Sequence, residues 1–385
     1  MVPDAIIRSR FERLAHSNLS GLPDSMPIPP CAMAARPLAR DMLCGGPAVR
    51  HTAGMFLTAV SALLPTARAV TDEEVRAVPK WRGIAEYPGA TPVDMAVEVG
   101  RSAVVHGGRA LSEFDWVIHA GSGYQGARTW PVHHAIQHAV LGDRGNALEV
   151  RQYCAGGLTS WVLAADICKP GRSVLCTAAD NWSWTDRFAV SREIAGEPFA
   201  DVASAGVLSA SSGFARVIGA GSSSRPAHAE AWQASGRFWE QMDKDEFCQV
   251  YANAQSKWDT KSSRETVEMI AEAIADAIAR AGLSPTEVTL FVTPSSYRGE
   301  PYRYLAGRFG IPWNEYLHQF HLEHGYLSVS GQACAIVHSA SAGLLTDGAN
   351  ILVVATEYNV SCTAMVIRID RNPQIVVSDS VITVY

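Results

Sequence analysis

One succession of helix and strand signals occurs twice along this chain, and that repetition narrows the folds open to it. In the first pass, Thr91-Pro92 with Asp94 in the opening turn predicts a helix over Val93–His106, followed by a strand at Phe114–Ala120. A helix at Pro131–Leu141, a strand at Ala147–Val150, a helix running to Ile167 and strands at Ser173–Thr177 and Gly206–Ser211 complete it. The second pass reads helix Ser263–Ala281, strand Val288–Val292, helix Tyr302–Phe309, strand Tyr316–His321, helix Val329–Leu345, and strands Asn350–Ala355 and Ala364–Ile369. Helix–strand–helix–strand–helix–strand–strand therefore appears twice, and alternation of this kind predicts packed α/β layers related by internal pseudo-symmetry. An apolar run, Met55–Leu64, precedes the first pass, and the Gly/Ser stretch Gly219–Pro226 reads as the connection between the units. The expected division is residues 1–50 as an extension rich in Pro, Arg and Ala, 51–222 as one half, and 223–385 as the other.

The third helix of the first half opens at Tyr153-Cys154-Ala155-Gly156-Gly157. A thiol at a helix start meets unpaired N–H groups and the positive end of the macrodipole, which favour thiolate below its resting pKa of ~8.5. Cys154 is thus a candidate nucleophile. Against this stands the commoner role of an intracellular cysteine as a small core hydrophobe.

Composition excludes several classes. With 385 residues, 48% of them hydrophobic, the chain can bury a large core, and a net charge of -6 offers no footprint for nucleic acid. Its eight cysteines lack any Cys-x-x-Cys pair and read as reduced thiols. The charged N-terminus and the absence of a long apolar run point to no membrane and to the cytoplasm.

The Cys154 segment, placed where it is in a duplicated order, resembles the thiolase superfamily, in particular its β-ketoacyl-acyl carrier protein synthase III branch. Phe199–Ser209 is similar to that family's Phe-Gly-Asp-Gly-Ala strand entry, and Val292-Thr-Pro294, Ala306–Pro312 and His324–Ser328 extend the likeness over residues 52–385. The resemblance implies a five-layered α-β-α-β-α fold of two pseudo-symmetric halves. It also implies a chemistry: Cys154 attacks an acyl-coenzyme A or acyl-carrier thioester and becomes acylated, with its own amide as one oxyanion donor. No permanently bound cofactor is implied, since the phosphopantetheine thioester is the substrate.

The departures bear on mechanism. Where the family carries the His of a Pro-His-Gln-Ala-Asn-like motif, this chain reads Pro294-Ser295-Ser296-Tyr297-Arg298, putting Ser295 in its place. Tyr326 of Gly325-Tyr326-Leu327-Ser328 stands where a Gly-Asn-Thr-Ser-like motif has Asn, and the Gly-rich loop of the second oxyanion donor reads Glu357-Tyr358-Asn359. Neither Ser nor Tyr carries positive charge at neutral pH, so stabilisation of a malonyl carboxylate or enolate is lost. Acyl transfer to a hydroxyl, amine or thiol needs only a nucleophile, an oxyanion hole and a base. His324, next to Gly325, is the nearest titratable candidate for that base.

Competing motifs are weaker. Gly121-Ser-Gly-Tyr-Gln-Gly126 has the form of a dinucleotide fingerprint, but Trp130-Pro131 separates it from the next helix, which makes it a site-lining loop. His133, His134 and His138 lack the Glu of a zinc motif, and His318, His321 and His324 recur at a spacing that scatters side chains about a strand; no metal is expected. Trp182 and Trp184 are candidates to wall an acyl pocket. The leading expectation is a cytosolic homodimeric acyltransferase that loads Cys154 from acyl carrier protein or coenzyme A and acylates a small-molecule acceptor in specialised metabolism. The alternatives are a carbon–carbon bond-forming β-ketoacyl synthase with a rearranged site, and a non-catalytic partner subunit of a ketosynthase-like dimer.

Overall fold

A computed structural model of the chain describes residues 54–77, 80–188, 197–233, 244–294 and 299–385. The expected extension, 1–50, lies outside these residues. The first half contributes β1 (Met55–Leu63), then β2 (Arg68–Ala69), α1 (Asp72–Ala77) and β3 (Gly83–Ile84) as a short excursion. It continues with α2 (Pro92–His106), β4 (Phe114–Ala120), α3 (Val132–Leu141), β5 (Asn146–Val150), α4 (Gly156–Ile167), β6 (Ser173–Asp180) and β7 (Val202–Ser209). The second half comprises β8 (Ala215–Ser224), α5 (Lys244–Ser256), α6 (Thr260–Arg280), β9 (Leu290–Val292), α7 (Glu300–Phe309), α8 (Glu315–His324), α9 (Gly331–Ser341), β10 (Asn350–Glu357) and β11 (Ser361–Ile369). A hairpin of β12 (Ile375–Ser378) and β13 (Val381–Val384) ends the chain along β1.

Sheet order exposes the repeat. The strands run β5-β4-β6-β7-β1-β8-β11-β10-β9, so reading inward from either end gives the same succession, with one outer strand fewer in the second half. β4 and β6 pair in parallel, as do β9 and β10; β6–β7–β1 and β10–β11–β8 then pair antiparallel. An antiparallel pairing of β1 with β8 joins the halves.

Three buried clusters define the layers. Val93, Ala96, Val99 and Ala103 of α2, with Ile136 of α3, pack on one face of the first-half strands. Met269, Ile270, Ala273, Ile274 and Ala277 of α6, with Leu305 of α7, pack likewise on the second half. Between the two halves of this sheet lie α4 and α9, represented by Leu158, Trp161 and Ala164 and by Ala333, Ile336 and Val337. The result is the expected α-β-α-β-α sandwich. Among the described residues no helix is long and apolar enough to cross a membrane.

Two local expectations are corrected. Gly219–Ser224 is not a connection but the second part of β8, with Gly219 and Gly221 buried beneath α6; a Cβ on Gly221 would stand 2.6 Å from Ala273 O. The glycines let a helix backbone approach the strand, a use that composition alone cannot tell from a flexible linker. The expected domain boundary at 222 therefore falls within this strand.

Tyr316–His321 is not a strand either but lies in α8. Asn314 caps it by accepting from Leu317 N at 3.1 Å, and Gly325, with φ +84°, ends it. Leu317, Phe320 and His321 are buried at i, i+3 and i+4 spacing, so the helical period wins over the aromatic and branched content that suggested a strand. This replacement is why the second half lacks a counterpart of β5. The three histidines consequently share a helix rather than scattering about a strand.

Burial leaves two histidines neutral. His321 is 1% exposed, neither of its ring nitrogens has a hydrogen-bond partner, and burial lowers its pKa to about 3. His119 is likewise lowered to about 4, chiefly by burial, although Gln125 and Thr177 accept or donate at its two nitrogens. Because both folded values lie below the unfolded ~6.5, the unfolded chain binds more protons below that pH, and the stability present above it is lost as pH falls towards 4. Urea unfolding at pH 7, 5.5 and 4.5 is expected to show a midpoint falling with pH, with a shallower fall in His321→Leu; a flat profile would contradict neutral burial of these rings.

Candidate functional site

Cys154 lies in a 3-10 turn, Tyr153–Ala155, that leads directly into α4. Its predecessor, Tyr153, has φ +42°, a left-handed backbone that throws the chain sharply from β5 into the helix. Ser328–Ser330 before α9 repeats this construction, with φ +40° at Ser328. Thus Val329 occupies in the second half the place of Cys154 in the first. The two turns touch: a Cβ on Gly156 would lie 3.6 Å from Val329 Cγ2, and one on Gly157 would collide with Val329 O.

The thiol does not have the lowered pKa that its place at a helix start suggested. Cys154 is 8% exposed, and burial pushes it up to about 12. Hydrogen bonds from Tyr326 and Ser122 act the other way, while the charges of Asp180 and Glu197 add to the rise. The preceding 3-10 turn sets Cys154 ahead of the first turn of α4, and desolvation exceeds what the remaining dipole supplies.

The Tyr326 hydroxyl is delivered to Cys154 by a short clamp. Gly325 turns the chain out of α8, Tyr326 N donates to Pro198 O at 2.8 Å, and Tyr326 O accepts from Ala200 N at 3.1 Å. Tyr358 reaches the same region from the β10–β11 turn with φ of +47°, a left-handed conformation that glycine adopts most readily. Its ring lies 4.9 Å from Tyr153 and stacks on Trp232 at 3.8 Å, and its hydroxyl accepts from Tyr251 at 3.3 Å. His228 braces this loop, with Nδ1 2.9 Å from Asn359 O and Nε2 2.9 Å from Glu265. Burial raises the hydroxyls of Tyr251, Tyr326 and Tyr358 well above the usual tyrosine range, so they remain protonated donors.

Trp182 and Trp184 stand where a wall was expected. Trp182 stacks on Phe199 at 4.2 Å, Phe199 meets Tyr326 edge-on, and Trp184 packs on Tyr124. The wall is pinned from beneath by Asp201, which is fully buried, accepts from Trp182 N at 2.7 Å and Tyr87 N at 2.9 Å, and pairs with Arg187 at 2.6 Å.

The structure thus brings Cys154, Tyr326 and Tyr358 together. His324 goes elsewhere: its Nδ1 is 2.8 Å from Phe320 O and its ring packs on Phe320, which in turn stacks on His338. Among the described residues, the groups that most shift the thiol besides burial are Tyr326, Asp180, Glu197 and Ser122, and His324 is not one of them. Ser295 lies outside the described residues. Sequence reasoning missed Asp180, Ser328 and Tyr251, and read Ser122 only as part of a loop. The signal for Ser122 was that glycine-bounded loop: its main chain wraps Asp180, with Ser122 N and Gly123 N each 2.8 Å from Oδ1.

No family model matches the sequence, and no curated protein matches it. Solved structures do share its architecture. The chain is similar to ChlB3, described as an acyltransferase, at 22% identity and a TM-score of 0.72, over 83% of this chain and 98% of that one. It is similar to the priming β-ketosynthase of the R1128 polyketide biosynthetic pathway at 20% identity and TM-score 0.66, over 83% and 97%. For 3-oxoacyl-[acyl-carrier-protein] synthase III from Aquifex aeolicus VF5 the values are 17%, 0.64, 82% and 100%. At these identities the likeness establishes a thiolase-type, ketosynthase III-like fold.

Replacing Asp201 by Ala is expected to cost about 3 kcal/mol, because Arg187, only 11% exposed, is left with Glu86 at 3.6 Å and Phe199 O, and the buried Trp182 N and Tyr87 N lose their acceptor. Chemical denaturation of the variant would read this as a lowered midpoint, and a loss under 1 kcal/mol would show that the pair does not hold the aromatic wall.

Proposed function

We propose that this chain is an acyltransferase of the ketosynthase III type, which takes an acyl group from a phosphopantetheine thioester onto Cys154 and passes it to a hydroxyl, amine or thiol. The observation that carries this reading is the setting of Cys154: a left-handed turn at the junction of the two halves, among aromatic side chains, with Tyr326 beside the thiol where the related motif has Asn. A buried chamber of this type excludes water from an acyl-enzyme thioester, whose hydrolysis is the main competing reaction. Amides of Cys154 and of the Tyr358 loop are the donors proposed for the oxyanion.

Chemistry divides transfer from condensation. Decarboxylation of a malonyl unit builds up enolate charge, which an imidazolium or an amide donor must meet. Tyrosines held protonated by burial donate single neutral hydrogen bonds and supply no positive charge. Collapse of a tetrahedral intermediate requires no such cation, only an oxyanion hole and a proton acceptor for the incoming nucleophile. The description of ChlB3 as an acyltransferase supports transfer, the polyketide pathway of the R1128 enzyme supports a place in specialised metabolism, and the 3-oxoacyl-[acyl-carrier-protein] synthase supports a carrier-protein or coenzyme A donor. The protein is proposed to work as a homodimer in the cytoplasm.

Intact-mass measurement after exposure to a panel of acyl-carrier-protein and acyl-coenzyme A thioesters is expected to show one acyl adduct, absent from Cys154→Ala. Malonyl-carrier protein added to the acylated enzyme is expected to release no carbon dioxide. Steady release would establish the condensing alternative. Absence of an adduct across the panel would leave a non-catalytic subunit.

A further inference from the structure

The turn that carries Tyr358 is held from outside the aromatic cluster, and one of the bonds that hold it depends on a proton. Tyr358 is not glycine, so its φ of +47° is a strained backbone that the surroundings must enforce. A 3-10 segment after β8, Pro226–Trp232, supplies the restraint. Arg225 N donates to Val360 O at 2.7 Å, Trp232 Nε1 donates to Asn359 Oδ1 at 2.9 Å, and the Trp232 ring stacks on Tyr358. His228, with a side chain 10% exposed, stands between this turn and α6, its Nδ1 2.9 Å from Asn359 O and its Nε2 2.9 Å from Glu265 Oε2. On the other side the turn is joined to that of Cys154: Gln152 Nε2 donates to Ser361 Oγ at 2.9 Å, and the rings of Tyr358 and Tyr153 lie 4.9 Å apart.

A neutral imidazole carries one N–H, yet both nitrogens of His228 face oxygens. A carbonyl oxygen only accepts, and so does an ionised carboxylate, so the two bonds coexist only when both nitrogens are protonated. We propose that His228 works as an imidazolium and is a positioning residue, tying the Asn359 carbonyl to Glu265 and so fixing the turn whose amides are the oxyanion donors of the transfer reading. The inference rests on that reading for its purpose, whereas the brace itself does not.

Loss of the proton is asymmetric. The remaining hydrogen stays on Nε2, whose partner is charged and whose bond is therefore the stronger, and Nδ1 then turns a lone pair towards Asn359 O. The brace fails on its active-site side. Glu265→Gln removes this dependence: its amide can donate to Nε2 of a neutral ring, which leaves the hydrogen on Nδ1 for Asn359 O. Glu265 is itself ionised, since the bond from His228, together with the charges of Lys261 and Arg225, holds its carboxyl below the usual range against desolvation. The other ionisable groups about the pair are Lys261, 3.7 Å from Glu265; Arg225, paired with Glu272; Tyr358 and Tyr251, both kept protonated by burial; and Glu357, which accepts from Ser361.

Two measurements on the full chain test this without any acyl substrate. Nuclear magnetic resonance of isotope-labelled histidine, with His228→Gln to identify the signal, follows the ring. Hydrogen–deuterium exchange of a peptide covering 357–361, corrected for intrinsic exchange, follows the turn. The wild-type ring is expected to keep its second proton to a higher pH than the ring in Glu265→Gln. Turn exchange in wild type should rise about tenfold as the ring titrates, stay low throughout in Glu265→Gln, and be high at every pH in His228→Leu. Equal titration of the two rings, or wild-type exchange that is flat across the titration, would overturn the brace, and this comparison decides the question even if His228→Leu does not fold. At saturating acyl-coenzyme A, the ratio of wild-type to Glu265→Gln acylation of Cys154 should fall about tenfold above the titration, with the half-saturating concentration unchanged. A turn that loosens while this ratio holds steady would overturn the positioning role and leave transfer standing. A brace that behaves as described in a protein that forms no adduct would sink the transfer reading alone.

Discussion

The contact on which the site depends is the meeting of two turns at the centre of the molecule. Gly157 lies so close to Val329 that any side chain there would strike the Val329 carbonyl, and a Cβ on Gly156 would approach that of Ala120 to 3.0 Å. The approach of α4 to the turn before α9 therefore requires Gly157, while Gly156 lets α4 lie against β4. Each helix is entered through a left-handed residue and a 3-10 turn, so their contact presses Cys154 and Ser328 into one volume. Ser330 Oγ, donating to Ala178 O at 3.1 Å, ties the second turn to the end of β6, where Asp180 emerges.

Burial then sets the chemistry. The stack of Trp232, Tyr358 and Tyr251 on one side, and of Trp182, Phe199 and Tyr326 on the other, removes water from the sulfur. Desolvation protects a thioester but also opposes the thiolate that must form it. Hydroxyl groups reconcile these demands, since they carry no charge that burial would penalise and can donate or accept as the sulfur ionises. Fully buried Asp201 and Asp180 are the two anchors: the first holds the wall through Arg187, and the second ties the Ser122–Gly123 main chain to Ser328.

Much of the architecture was legible in local signals. Helices over Val93–His106 and Ser263–Ala281, and strands over Phe114–Ala120 and Asn350–Ala355, follow from periodicity and caps that act within a few residues. The misreadings share one cause. Gly219 and Gly221 look like linker until a helix is found lying across them, and Tyr316–His321 looks like a strand until Asn314 and Gly325 are seen to cap it. His324 adjoins Tyr326 in the chain, yet the turn at Gly325 sends their side chains to different neighbours. Ser122 and Asp180, 58 positions apart, meet only because β4 and β6 are parallel neighbours whose ends open on the same side.

The sequence by itself determined the repeated α/β order and the turn that presents Cys154, because residue-local propensities and spacing act before the chain is compact. It also carried the resemblance that sets Tyr326 and Tyr358 against the residues of the related motifs. The ionisation of the thiol and the groups within its reach were decided by tertiary structure alone. A helix start favours thiolate, burial opposes it, and the outcome depends on how much water the surrounding walls exclude, a quantity that no short segment contains.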